Sequence, residues 1–211
     1  MKKADIETFY QALCDDNPEP KGELDWINTY TLLVAVVLSA QATDVGVNKA
    51  TGPLFKKVKT PQAMLKLGEQ GLKHYIKSIG LFNTKAKNVI GLSHMLIDDH
   101  GGQVPEDRDA LEKLPGVGRK TANVVMNIAF GAPTIAVDTH IFRISNRTGL
   151  AAGKTPLAVE KELERVTPAH WKLHAHHWLI LLGRYVCKAR KPECYRCVVN
   201  PVCAFKGKTT A

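Results

Sequence analysis

The chain has 211 residues, 45% hydrophobic and 23% charged, with 29 Lys and Arg against 20 Asp and Glu, a formal net charge of +9 and a pI near 9.3. That composition is globular and excludes intrinsic disorder, and a chain this long buries roughly 70% of its unfolded surface, enough to fold as one domain or two small ones without disulfides. The excess of positive charge points to a polyanionic partner, nucleic acid before membrane.

Taken in chain order, acids at Asp5 and Glu7 stand where a signal peptide would be apolar, which predicts an intracellular, cytoplasmic protein. Cys14 reads as a small buried hydrophobe in an N-terminal helix that ends at the break Asn17-Pro18-Glu19-Pro20. Residues 31–41 read as a central buried helix. Within them the longest apolar stretch, 32–40, is about half of a roughly 20-residue membrane span and contains Ser39, so no membrane helix is expected. Residues 83–97 carry Val89, Leu92, Leu96 and Ile97 at nearly helical period, and the Gly101-Gly102 pair sits where that helix should stop. Gly131-Ala132-Pro133-Thr134 is a further break. No convincing period-2 run, long linker or internal repeat interrupts the pattern, so the chain is predicted to be all-α.

Residues 111–130 form a short helix, a Gly-rich turn and a longer helix: a helix-hairpin-helix. Gly116 and Gly118 allow a tight turn and close backbone approach, and the amides entering the second helix sit at the positive end of its dipole, where phosphate binds. The dinucleotide fingerprint fails because Thr121 stands in place of its third glycine, and the P-loop fails because Arg119 stands where it needs glycine. Leu-Pro-Gly-Val-Gly would also serve as a plain turn between helices. Lys120 lies on the first turn of the second helix, where the dipole disfavours a cation. An unperturbed lysine is neutral in only about one molecule in 2,500 at pH 7, so a nucleophilic one needs desolvation, the helix N-terminus or a neighbouring cation such as Arg119 to destabilise its charge. The residue alone fits a Schiff-base nucleophile and a phosphate grip equally well. Asp138 reads as a helix N-cap, and a cap carboxylate, fixed in place, can also stabilise a positive charge developing at a sugar C1′.

Cys187, Cys194, Cys197 and Cys203 fall within 17 residues as C-x6-C-x2-C-x5-C. In an intracellular chain this predicts a metal site, and four thiolates suit either tetrahedral zinc or a cubane iron–sulfur cluster. Arg184, Lys188, Arg190, Lys191, Arg196, Lys206 and Lys208 surround them against the single acid Glu193, a basic knob fit for phosphate contact. His170 and His174 have the spacing of a zinc pair, but Trp171 replaces the glutamate of a metalloprotease, and the histidines at 170, 174, 176 and 177 are expected on a helix surface or between helices.

Residues 114–123, Val137-Asp138-Thr139-His140 and the cysteine tail together resemble the bacterial endonuclease III family, as do residues 38–44 and Ile79-Gly80-Leu81. The resemblance covers nearly the whole chain. It implies a two-lobed helix-hairpin-helix DNA glycosylase fold, with a six-helix barrel domain at residues 22–133, the hairpin at about 108–130, and a cluster domain of residues 1–21 plus 134–211. It implies a bifunctional DNA glycosylase and abasic-site lyase removing oxidised pyrimidines from double-stranded DNA, acting as a monomer at the nucleoid. Lys120 would be the nucleophile, Asp138 its assistant, and the four cysteines the ligands of a [4Fe-4S] cluster. Gln41 would fill the space a flipped base vacates and Leu81 would wedge into the stack, while Gly116, Gly118, Arg190 and Lys191 meet the backbone. Relatives that excise adenine, or mismatched thymine and uracil, generally lack the lysine present here. The rivals are a non-catalytic DNA-binding module with a zinc or redox cluster, which would be indifferent to Lys120 and Asp138, and an iron–sulfur electron carrier.

Overall fold

The computed structural model describes residues 1–210, and among them the regular structure is entirely helical. The α-helices are α1 (Lys3–Asp16), α2 (Thr29–Ser39), α3 (Asp44–Phe55), α4 (Pro61–Ile76), α5 (Phe82–His100), α6 (Arg108–Lys113), α7 (Arg119–Phe130), α8 (Thr139–Thr148), α9 (Pro156–Val166) and α10 (Lys172–Tyr185). Short 3₁₀ turns occupy Ala169–Trp171, Cys194–Arg196 and Asn200–Val202.

Local chemistry sets the boundaries. Asn28 opens α2 with a capping box: its side chain accepts from the Thr31 amide at 3.0 Å, and the Thr31 hydroxyl accepts from the Asn28 amide at 2.9 Å. Thr43, Thr60, Asp107 and Thr155 cap α3, α4, α6 and α9. Left-handed Gly101, Gly131 and Gly149 close α5, α7 and α8.

The chain divides into two compact units. One is Glu23–Gly131, holding α2 to α7. Its centre is α2, in which every residue from Tyr30 to Leu38 is buried, and the Tyr30 hydroxyl shares a 2.7 Å hydrogen bond with Ser93 of α5. The predicted helix over 31–41 ends earlier, at Ser39: the Ala42 amide donates to the Ser39 carbonyl at 3.0 Å, closing a turn that throws Gln41 into left-handed backbone at φ 53°.

The other unit is Met1–Gly22 with the chain from Ala132 onward. Ile6, Phe9, Tyr10 and Leu13 of α1 join Ile135, Ile141, Ile144, Leu163, Trp178 and Leu179 in one core. Each large apolar side chain buried there contributes roughly 1.5–3 kcal/mol, which ties the first helix to the last third of the sequence. Polar contacts fix the register: the Tyr10 and Thr167 hydroxyls lie 2.9 Å apart, and Trp178 donates its indole N–H to the Asn17 carbonyl at 2.8 Å. His170 also faces α1, with Nε2 2.8 Å from Glu7, whose carboxylate accepts from the Trp171 indole at 2.9 Å. That makes His170 an interhelical contact, in the 3₁₀ turn ahead of the helix that carries His174.

Candidate functional site

The hairpin is α6, a turn over residues 114–118, and α7. Buried Leu114 and Val117 pin the turn, with the Val117 amide donating to the Leu114 carbonyl at 3.0 Å. Gly116 has φ 78°, and a Cβ there would lie 2.8 Å from Asn88 Nδ2, so only glycine suits it. Gly118 differs. It is the N-cap of α7 with φ −99°, and a Cβ on it would meet nothing within 4 Å. The fold does not need glycine at that position; the space before the first amides of α7 is open, and no side chain caps them. Arg119 lies 3.8 Å from Glu112. Lys120 follows on the first turn, exposed. The helix N-terminus and Arg119 stand beside it, and its side chain is not buried. Burial falls instead on Lys85 of α5, 5% exposed, where it pushes the amine below the usual lysine range.

Asp138 caps α8 as expected. Its Oδ1 accepts from the amides of His140 and Ile141, each at 2.8 Å, and the side chain is half-buried. Farther along α8, Arg143 donates to the Gly183 carbonyl at 2.6 Å and to the Cys187 carbonyl at 3.2 Å. One turn on, Arg147 donates to Cys187 Sγ at 3.6 Å and to the carbonyls of Lys188 at 2.7 Å and Ala189 at 3.2 Å.

All four predicted ligand cysteines carry free thiols and line a single cavity with Arg147, Leu182, Val186, Val199 and Phe205. Among the described residues, no three His, Cys, Asp or Glu side chains close on a point as they would around one metal ion. Burial pushes the Cys197 and Cys203 thiols up, and the charges of their neighbouring cysteines push the same way. In the surrounding loop Glu193 takes two of the seven predicted cations, Lys188 at 2.5 Å and Arg196 at 2.5 Å. Arg190 and Lys191 stay exposed at the tip.

Among the described residues, the non-glycine positions with positive φ are Gln41 at 53°, Leu81 at 60° and Lys191 at 51°. Left-handed backbone costs a β-carbon residue roughly 1–2 kcal/mol, and such strain collects where function holds it. Leu81 is 59% exposed, and Gly80 brings its turn against that of Gln41: a Cβ on Gly80 would sit 3.9 Å from the Gln41 carbonyl oxygen.

The model of the HhH-GPD superfamily of base excision DNA repair proteins matches residues 34–169. Endonuclease III of Haemophilus influenzae is 59% identical over 208 residues, 99% of this chain and 99% of that protein. The chain belongs to the endonuclease III family of base excision DNA repair enzymes. Endonuclease III of Escherichia coli K12 is 56% identical with the same coverage of both chains. Among solved structures, an endonuclease III trapped as a covalent intermediate with DNA superposes with a TM-score of 0.90 at 45% identity, covering 97% of this chain and 96% of that one. A thermostable thymine-DNA glycosylase gives a TM-score of 0.83 at 27% identity, covering 98% and 97%. Membership of the endonuclease III family sets the enzyme class, a DNA glycosylase and abasic-site lyase. Nothing in the sequence marks Arg143 and Arg147 of this endonuclease III relative, because two arginines at i, i+4 on an amphipathic helix look like any solvated face.

Proposed function

We propose that the chain removes oxidised pyrimidines from double-stranded DNA and cuts the resulting abasic site, with Lys120 the nucleophile and Asp138 the carboxylate that assists it. The observation that carries this reading is an exposed lysine amine two residues beyond a hairpin glycine, Gly118, that borders open space in front of a helix N-terminus. A non-catalytic binder would use that opening for a phosphate and would not need the amine at its edge.

In this reading the amides around Gly116 and Gly118 hold one backbone phosphate, and Arg190 and Lys191 reach another, which positions the enzyme without reading sequence. Extruding a base costs a few kcal/mol, less for a damaged one. Leu81 and Gln41, exposed on adjoining turns, occupy the space it leaves. Deprotonated Lys120 Nζ bonds to C1′ as the glycosidic bond breaks, and the base departs with the bonding electrons and is protonated. Asp138 stabilises the positive charge that grows at C1′ and relays the protons. Ring opening converts the adduct to an imine, which acidifies the C2′ hydrogens. Loss of one of them expels the 3′ phosphate, cutting the strand 3′ to the site, and water then hydrolyses the imine and frees Lys120. The enzyme acts as a monomer on cytoplasmic, nucleoid DNA; no described helix is long and apolar enough to cross a membrane.

The donor set fits a [4Fe-4S] cluster on Cys187, Cys194, Cys197 and Cys203. Four free thiols line one cavity, a donor set that suits the thiolate ligation of such a cluster. Bound there, it would supply a covalent cross-link across the loop.

Borohydride reduction on a duplex with one abasic site tests the reading. The wild type should be trapped covalently, and Lys120→Ala should bind the same duplex without forming an adduct. A DNA-binding wild type that gives no adduct would overturn the lysine mechanism.

A further inference from the structure

Arg147 makes an unusual set of contacts. Its Nη1 donates both to Cys187 Sγ at 3.6 Å and to the Lys188 carbonyl at 2.7 Å, and its Nη2 donates to the Ala189 carbonyl at 3.2 Å. The guanidinium carbon also sits 4.9 Å from the centre of the Phe205 ring. Phe205 follows the last of the four cysteines by two residues, so one side chain grips the loop at both ends. The neighbouring backbone is locked in the same way, with the Ala204 amide donating to the Thr148 carbonyl at 3.0 Å. Besides Arg147, residues 188–191 are held by Lys188 alone, whose ammonium pairs with Glu193 at 2.5 Å and whose amide donates to the Val186 carbonyl at 2.9 Å. Arg190 and Lys191 are exposed, Lys191 is left-handed, and the segment belongs to no helix.

We propose that Arg147 is the positioning residue of the cysteine loop, setting with one guanidinium both the environment of the first cysteine sulfur and the backbone that presents Arg190 and Lys191. This rests on reading the loop as cluster-bearing and DNA-facing. The fork geometry is what qualifies arginine. Two nitrogens in a fixed plane reach two successive carbonyls and a sulfur while the flat face stacks on Phe205, a combination that lysine, with one flexible ammonium, does not reproduce. A hydrogen bond to a ligating sulfur raises the reduction potential of an iron–sulfur group, which gives the proposal a signature separate from DNA binding.

The test compares cluster-loaded, full-length wild type, Arg147→Lys, Arg147→Met and the double variant Arg190→Ala/Lys191→Ala. Affinity for a duplex with an abasic-site analogue is followed against salt, alongside voltammetry of the free proteins. Arg147→Lys, which keeps the charge and the aliphatic stem, should fold and load its cluster. Its salt dependence should nevertheless flatten toward that of the double variant, by about 0.9 log units for each phosphate that the loop no longer neutralises. The potential should fall in both Arg147 variants. If the double variant flattens the slope while Arg147→Lys keeps the wild-type slope, the positioning role is overturned and the DNA-facing loop stands. If the double variant itself keeps the wild-type slope, the loop is not at the DNA, and the reading beneath the proposal fails with it.

Discussion

The two hairpin glycines carry the same letter for different physical reasons, and that difference separates folding from binding. Gly116 needs glycine for the fold, since its φ is 78° and Asn88 occupies the place of any Cβ. Gly118 has backbone that any residue adopts, and only open space surrounds its missing side chain. Serine is a good N-cap, so Gly118→Ser should leave stability within a few tenths of a kcal/mol, while its side chain stands where a phosphate would approach and weakens DNA affinity at least tenfold. Gly116→Ala should cost roughly 1–2 kcal/mol for the left-handed backbone, with more from the crowding against Asn88. Thermal unfolding and duplex binding of the two variants check this, and a Gly118→Ser protein that binds like the wild type would show that nothing approaches that backbone. Residue chemistry was largely legible in the sequence where it is local. Asp138 shows its capping role in its own neighbourhood, and the close spacing of the four cysteines agrees with their lining one cavity. The positive φ of Leu81 is not legible, because nothing local encodes a leucine in left-handed backbone. The surroundings of Lys120 are not legible either: burial depends on packing, and packing buries Lys85 instead.

At the scale of elements, the helices follow the apolar periodicity while their ends follow short-range hydrogen bonds. The predicted helix over 83–97 lengthens to Phe82–His100, stopping at the Gly101 that the sequence marks, whereas α2 stops short of Gln41 because the Ser39 carbonyl turns back to the Ala42 amide. The Gly68 kink in α4, with φ 74°, escapes a reading based on periodicity, since glycine alone does not specify its own conformation. Helix α10 has a consequence for pH. It buries His177, and burial first, then the nearby His174, holds that imidazole below the usual histidine range. As pH falls through the ordinary histidine value, the unfolded chain takes up a proton that the folded chain refuses, so this group costs nothing above that value and destabilises the fold below it. Stability should therefore decline between pH 7 and pH 5, by at most about 1.4 kcal/mol per pH unit from this one group. His177→Gln should flatten the decline in denaturant titrations at several pH values, and an unchanged slope would remove His177 from the account.

For the molecule as a whole, the two units differ in what holds their last pieces. Unit Glu23–Gly131 is organised around α2, apolar on every side. The other unit closes only when α1 meets α10 and the strip from Ile135 onward, a pairing between distant parts of the sequence that no local pattern announces. Beyond α10 the apolar support thins, with Cys187 and Val199 in the same core and Cys197 and Val202 packed at its edge. Between residues 187 and 210 the described residues form only 3₁₀ turns, and the buried ones are Cys187 and Val199. Two ion pairs to Glu193 are solvent-accessible, and such pairs contribute roughly 0–1 kcal/mol each. The order of this segment therefore rests on polar contacts, among them the grip of Arg147, the Thr209 hydroxyl on the Pro192 carbonyl and Asn200 on the Cys194 carbonyl at 2.9 Å, and on whatever joins the four thiols. If the four cysteines hold the proposed cluster, stripping it by oxidation and chelation should open the loop locally, because, of these cysteines, the core of α1, α8 and α10 includes only Cys187 and, at its edge, Cys197. Trypsin should then cut rapidly after Lys188, Arg190 and Arg196 in the stripped protein and slowly in the loaded one, with helicity by circular dichroism nearly unchanged; Lys191, which precedes Pro192, resists trypsin in both. Equal protection in both states would mean that the protein contacts alone order the loop, and a collapse of helicity on stripping would mean that the cross-link supports the whole unit.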